Sequence, residues 1–195
     1  VGAEDALSGE LPEVTPAEGV LLPATYMVER GEARAAVLDR MVKAQQTLMA
    51  ELWPSRQDGL PFKTQQEAII LASVVEKETG NAGERPEVAA VFVNRLRLRM
   101  LLQTDPSVIY GIGPSFDGNL RKRDLLADGP YNSYTRVGLP PTPIALPGRA
   151  SIEAALRPAS TSALYFVSRG DGTSHFSATL AEHNRAVDTY QRCCR

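Results

Sequence analysis

The sequence predicts an α+β fold: a helical core, irregular groove-lining loops, and a C-terminal β-hairpin followed by a helix. Three observations carry this prediction. Apolar residues recur at helical spacing through residues 32–52, 64–79 and 86–99. A Pro- and Gly-rich stretch without periodicity fills residues 113–148. Two short strand-like runs then flank RGDGT at residues 169–173, a hairpin signal. Helices first and a hairpin last define the class.

The elements follow in order. Residues 1–31 are punctuated by Pro12, Pro16, Gly19, Pro23 and Gly31, and read as linker with one strand near residues 20–28. Residues 32–52 form an amphipathic helix, with Val37, Met41, Ala44, Leu48 and Leu52 on one stripe. Trp53 and Pro54 stop it. Thr64 and Glu67 make a T-x-x-E capping box ahead of the apolar run 68–75, so a second helix starts there. Gly80 and Asn81 end it. Pro86 suits the first turn of a third helix, whose face is Val88, Val91, Phe92, Arg95, Leu96 and Arg99. Asp105 and Pro106 read as N-cap and first turn of a short helix ending near Gly111. A loop as long as residues 113–148 is uncommon in a compact domain and often functional. Ser151 and Glu153 open another short helix, limited by Pro158. Thr179 and Glu182 repeat the T-x-x-E box and start the terminal helix.

Composition excludes several classes. The 195 residues are 43% hydrophobic with a formal net charge of -2, enough for one globular domain with a small appendage. A pI of about 5.8 gives no electrostatic footprint for nucleic acid. No apolar run reaches the ~18 residues that span a membrane, and no signal-peptide pattern opens the chain. Cys193 and Cys194 are adjacent near the C-terminus and close no useful loop. With His175 and His183 isolated, no metal-ligand spacing arises, and no metal or cofactor is expected. No G-x-S-x-G, H-E-x-x-H or Gly-rich phosphate loop is present.

The chemistry-bearing feature is an acidic pair on a greasy helix, LASVVEKETG at residues 71–80. A carboxylate ending an apolar helix is a candidate general acid with a raised pKa. Glu76 falls in line with Ile69, Ala72 and Ser73, and Glu78 with Leu71, Val74 and Val75. Periodicity does not choose between them, and both being solvated is the plain alternative. Glu84, Glu87 and Asp105 are nearby in sequence, but none pairs with Glu76 at a spacing that predicts a hydrolytic dyad. Asp105 reads as a cap. Polar, turn-rich strings follow: LLQTDPSVIYGIG at residues 101–113 and YNSYTRVGLPPTPIALPG at residues 131–148. They suit the walls of a sugar-polymer groove.

These strings, with ERPEVAAVFVNRLRLRM (residues 84–100), ALRPASTSALYFVSRGDGTSHFS (155–177) and TLAEHNRAVDTY (179–190), resemble the catalytic domain of endolytic murein transglycosylases, the MltG/YceG family. EGVLLPATYMVERGE at residues 18–32 is similar to the segment leading out of that family's LysM-like domain. The resemblance divides the chain into a linker and LysM-like remnant (residues 1–31) and a catalytic domain (residues 32–195). It implies a cytoplasmic-membrane protein whose catalytic domain works on the periplasmic or outer face, with the N-terminal anchor outside this sequence. The implied partners are peptidoglycan glycan strands and the peptidoglycan synthases. The implied reaction cleaves the MurNAc-β-1,4-GlcNAc bond within a nascent strand and leaves a 1,6-anhydro-MurNAc end, terminating elongation. The nucleophile is the sugar's own C6 hydroxyl, so a single carboxylate suffices as acid and then base.

By motif, the resemblance places that role on the first Glu of EKET, Glu76. It makes Gln103 a ligand for an N-acetyl group or for the Glu, since its amide both donates and accepts. Tyr131 and Asn132 match a Tyr-Asn pair, the phenol holding the acid and Asn132 binding sugar hydroxyls. Tyr134 and Tyr110 are candidates for stacking on sugar faces, and Asn94 for facing the groove. The rival readings are a non-catalytic glycan-binding scaffold, a muramidase-type hydrolase with a second acid, and a peptide-binding domain built on residues 131–148.

Overall fold

The computed structural model describes residues 7–10 and 16–192. Cys193 and Cys194 lie outside the described residues, as do parts of the expected linker. Among the described residues, seven α-helices and four short strands follow in chain order: β1 (Leu7–Ser8), β2 (Glu32–Ala33), α1 (Arg34–Leu52), α2 (Gln65–Glu78), α3 (Arg85–Arg97), α4 (Asp105–Ile112), α5 (Lys122–Leu126), α6 (Arg149–Leu156), β3 (Tyr165–Ser168), β4 (Ser174–Ser177) and α7 (Leu180–Val187). β1 and β2 form a two-residue parallel pair. β3 and β4 pair antiparallel, with Phe166 opposite Phe176.

The core centres on α2, α3 and α6, with Leu48, Met49 and Leu52 of α1 packed into the same cluster. Leu71, Val74 and Val75 of α2 meet Val88, Ala89 and Phe92 of α3 and Ile152, Ala155 and Leu156 of α6, all buried. Fully burying such side chains contributes ~1.5–3 kcal/mol each for the larger ones. Apart from Ser73, α2 is apolar from Ala68 to Val75 and buried on nearly every side because it is the central helix. Its start is the expected capping box: Thr64 Oγ1 accepts from the Glu67 N–H, and Glu67 accepts from the Thr64 N–H. The box at Thr179 and Glu182 likewise opens α7. Pro86 sits in the first turn of α3, where its missing N–H costs nothing.

The structure departs from expectation in three places. Residues 20–28 form no strand. This lead-in segment lies instead along α1 and α2: the Leu22 N–H donates to Met41 O at 3.2 Å, and Gln45 Nε2 donates to Gly19 O at 3.2 Å. With its backbone groups taken by helix-bound partners, no ladder forms. Thr104, not Asp105, is the N-cap of α4, and it makes no side-chain capping bond. Asp105 occupies the first turn, its carboxylate engaged elsewhere. The long irregular stretch does contain a short helix, α5, but is otherwise non-repetitive as its Pro and Gly content requires. It is pinned to the core where the Ile144 N–H donates to buried Ser73 Oγ at 2.9 Å.

The hairpin packs over the end of α2 and along α3: Asn81 donates to Gly172 O, and Glu84, the N-cap of α3, accepts from Ser174. Phe92 of α3 meets Phe166 of β3 edge-on, with centroids 6.2 Å apart. Its turn has positive φ at Gly170 and Gly172, which glycine adopts without a Cβ clash.

Candidate active site

Between the ends of α2 and α3 on one side and the hairpin with α7 on the other lies a cavity of about 980 Å³. Its lining includes Glu78, Gln103, Asp105, Tyr134, Arg95 and Tyr165. The cavity is open to solvent.

Glu78 is the last residue of α2, half-buried. Its Oε2 accepts a hydrogen bond from Thr104 Oγ1 at 2.6 Å. Burial pushes its pKa above the ordinary 4.5, and the Asp105 charge pushes the same way. The Thr104 hydrogen bond and the Arg95 guanidinium oppose the rise. A carboxyl whose charged form is disfavoured by desolvation is suited to carrying a proton into a cleft.

Glu76 sits differently from the sequence expectation. It does not line the cavity. Its Oε2 accepts from the Gly148 N–H at 3.0 Å and from Ser151 Oγ at 2.6 Å, and its Oε1 from Arg85 at 3.4 Å. Gly148 is the N-cap of α6 and Ser151 lies in its first turn. Glu76 therefore satisfies the start of α6 and ties it to α2, the place where a negative side chain complements unpaired helix N–H groups. Both glutamates emerge from the same buried helix, two residues and roughly 200° apart. One faces α6 and the other the cavity.

The loop before α4 is stitched to residues 132–134. The Gln103 N–H donates to Ser133 O at 3.0 Å and the Thr104 N–H to Ser133 Oγ at 2.9 Å. Tyr134 donates its phenol proton to Asp105 Oδ1 at 2.5 Å. Burial, then that hydrogen bond, holds the Tyr134 pKa well above the usual phenol range, so it stays a donor. Gln103 has φ of 53°, a left-handed conformation costly for a residue with a Cβ. Arg95 holds it there: its Nη1 donates to Gln103 Oε1 at 3.2 Å and to the carbonyls of Leu101 and Leu102 at 3.1 and 3.0 Å. Arg95 Nε also donates to Leu164 O at 2.6 Å. Its guanidinium stands 5.0 Å from the Tyr165 ring centroid, and His183 stacks on Tyr165 at 5.3 Å. The sequence marks Arg95 only as part of a helix face. A cation flanked by Phe92 and Leu96 on a mostly apolar helix stripe is the available signal.

Of the expected ligands, Gln103 and Tyr134 line the cavity; Tyr110, Tyr131, Asn132 and Asn94 do not. Asn132 is buried, and its Nδ2 donates to the carbonyls of Asp124, Leu125 and Ala127, so it closes α5 rather than offering its amide to sugar hydroxyls. Tyr131 shares a hydrogen bond of 2.7 Å with Thr142 and meets Tyr110 edge-on at 5.0 Å; neither ring reaches Glu76 or Glu78 with a hydrogen bond. Asn94 Nδ2 donates to Thr161 O and Ala163 O at 2.8 and 3.0 Å, tethering the approach to β3. Among the described residues no cluster of His, Cys, Asp or Glu has metal-binding geometry. No described helix is long and apolar enough to cross a membrane.

The fold and site define an α+β domain with a half-buried carboxyl at the wall of an open cavity. A model of the YceG-like family matches residues 3–189, and the chain belongs to that family. It is 38% identical over 175 residues to the endolytic murein transglycosylase of Bacillus subtilis, covering 90% of this chain and 48% of that protein. It is 30% identical over 176 residues to the endolytic murein transglycosylase of Streptococcus pneumoniae, covering 87% of this chain and 31% of that protein. The crystal structure of a YceG-like protein from Listeria monocytogenes superposes with a TM-score of 0.69 at 37% identity, covering 86% of this chain and 53% of that one. The chain thus spans half or less of the length of the curated relatives it matches.

Proposed function

We propose that this chain carries the catalytic domain of an endolytic peptidoglycan lytic transglycosylase and that Glu78 is its acid/base. Residues 32–195 are the catalytic unit in this reading and residues 1–31 the lead-in from a LysM-like domain. One observation carries the choice of Glu78: it lines the cleft, half-buried, with its pKa raised by desolvation, whereas Glu76 is consumed at the start of α6. The names of the curated relatives support the reaction class.

The chemistry follows from one carboxyl. Protonated Glu78 donates to the oxygen of the MurNAc-β-1,4-GlcNAc bond, and the C1–O bond breaks. Positive charge develops at C1 and the ring oxygen. The C6 hydroxyl of the same MurNAc attacks C1, and the Glu78 carboxylate accepts its proton. The products are a GlcNAc hydroxyl and a 1,6-anhydro-MurNAc end, and Glu78 is again protonated. No water is consumed. Thr104 keeps the Glu78 carboxyl oriented. Among the described residues Gln103 Nε2 donates to no protein atom, which leaves it for an N-acetyl carbonyl of the strand. In the cell this reading has the enzyme at the outer face of the cytoplasmic membrane, cutting nascent strands beside the peptidoglycan synthases and ending their elongation.

The test is mass spectrometry of uncrosslinked peptidoglycan strands incubated with the chain and with Glu78→Gln. Internal anhydro-MurNAc ends made by the first and not the second are expected. Reducing ends would replace this reading with a hydrolase, and cleavage by Glu78→Gln at the unmutated rate would remove Glu78 from the mechanism.

A further inference from the structure

We propose that Asp105 is a second catalytic carboxylate of this cleft, held by Tyr134 so that its charge stabilises the positive sugar ring formed as the glycosidic bond breaks. The inference rests on the reading of the cleft given above and adds a residue to it.

Three observations carry it. Asp105 and Glu78 line the same cavity, and Asp105 follows directly on Thr104, whose hydroxyl grips Glu78. A donor on Thr104 and a charge on Asp105 therefore reach the same reaction centre from one short segment. Second, an Asp in the first turn of a helix commonly serves the helix N–H groups. Here α4 has no side-chain cap, and the Asp105 Oδ1 accepts from the Tyr134 phenol at 2.5 Å across 29 residues of chain. Among the described residues its Oδ2 accepts no hydrogen bond, although the residue is exposed to the cleft. Third, the tether is itself anchored. The Tyr134 N–H donates to Asn132 Oδ1 at 2.9 Å, and Ser133 Oγ accepts from the Thr104 N–H. A phenol that only packed would need none of this.

A negative charge fixed before the reaction costs no reorganisation when positive charge develops opposite it. The step balances with Glu78 alone moving protons: it donates to the leaving oxygen and recovers a proton from the C6 hydroxyl. Asp105 exchanges none. Its presence beside Glu78 does not require hydrolysis, because it acts on the ring and not on a water. It also has a second effect. Of the charged and titratable groups facing Glu78, Asp105 disfavours its ionised form, Arg95 favours it, and the Tyr134 phenol is a donor to Asp105.

The experiment compares the chain with Asp105→Asn and Tyr134→Phe on uncrosslinked glycan strands, reading kcat, KM, product ends and the pH profile. Asp105→Asn is expected to lower kcat by about 10²-fold, the order seen when one preorganised electrostatic group is removed. Anhydro ends remain the product. The basic limb of its pH profile moves to lower pH, because Glu78 loses a neighbour that keeps it protonated. Tyr134→Phe keeps the charge and frees it, and about a tenfold loss in kcat with little change in KM is expected. An Asp105→Asn rate within about threefold of the unmutated chain, or a stationary basic limb, overturns the inference while leaving the Glu78 reading standing. If Asp105→Asn does not fold, Tyr134→Phe decides, and unchanged kcat there overturns it. Absence of anhydro ends from the unmutated chain overturns the reading of the cleft and this inference together.

Discussion

Glu76 and Glu78 leave α2 two residues apart with opposite duties, so substituting them should produce crossed phenotypes. Glu76→Ala removes the acceptor of the Gly148 N–H and of Ser151 Oγ, and the weaker contact with Arg85. Net hydrogen bonds to a charged group are worth ~1.5–3 kcal/mol each. The Arg85 pair, partly exposed and 3.4 Å apart, adds at most ~1 kcal/mol. Two bonds give an upper figure of ~6 kcal/mol, but fully buried Ser151 can turn its hydroxyl to a carbonyl of its own helix, and water reaches the Gly148 N–H. A loss of ~2–4 kcal/mol remains, a fall in Tm of roughly 5–15 °C for a chain of this length. Glu78→Gln should behave oppositely. It removes a desolvated carboxylate and keeps an acceptor for Thr104, so Tm holds or rises by a degree or two, while strand cleavage disappears. Thermal melts and quantified anhydro-MurNAc ends on the same two proteins test this. A Glu76→Ala protein that melts normally and cleaves nothing, beside an active Glu78→Gln, would refute the assignment of roles.

Three further outcomes are expected. The folded-state pKa of Glu78 is raised, so the folded chain binds the extra proton; stability should be fully present below 4.5 and decline as pH rises through the raised value. Glu78→Gln should flatten that part of a urea-midpoint profile against pH. Arg95→Met strands the carbonyls of Leu101, Leu102 and Leu164 and releases Gln103 from its left-handed backbone, a cost of ~3 kcal/mol or more in chemical denaturation, since leaving several buried acceptors unpaired is expensive. Asn132→Ala leaves three carbonyls around α5 without their donor; ~1–3 kcal/mol of stability and faster amide exchange in residues 122–127 are expected, with KM for glycan strands unchanged.

Much of the fold was legible because its signals are local. The boxes at Thr64 and Thr179 each satisfy N–H groups within one turn, so sequence spacing alone reports them. Pro86 and the glycines of the 169–173 turn act through their own φ and are equally readable. The lead-in segment reads as a strand in sequence but forms none, because its partners, Met41 and Gln45, lie on a helix that the segment itself does not encode.

The site divides along the same line. The sequence by itself determined that a polar, turn-rich QTDP segment and an acidic helix end belong to this chain, and which residue types they offer. Only the tertiary structure decided which carboxylate meets the cleft. α2 is buried all round, so no apolar stripe distinguishes the direction of Glu76 from that of Glu78; the choice depends on where α6 and the hairpin dock against it. It is also the structure that takes Asn132, Tyr131 and Asn94 out of the cleft and puts Arg95 and Asp105 into it. A polar side chain is spent on whichever unpaired group lies nearest in space, and for these residues those groups are 2 to 69 positions away in the chain.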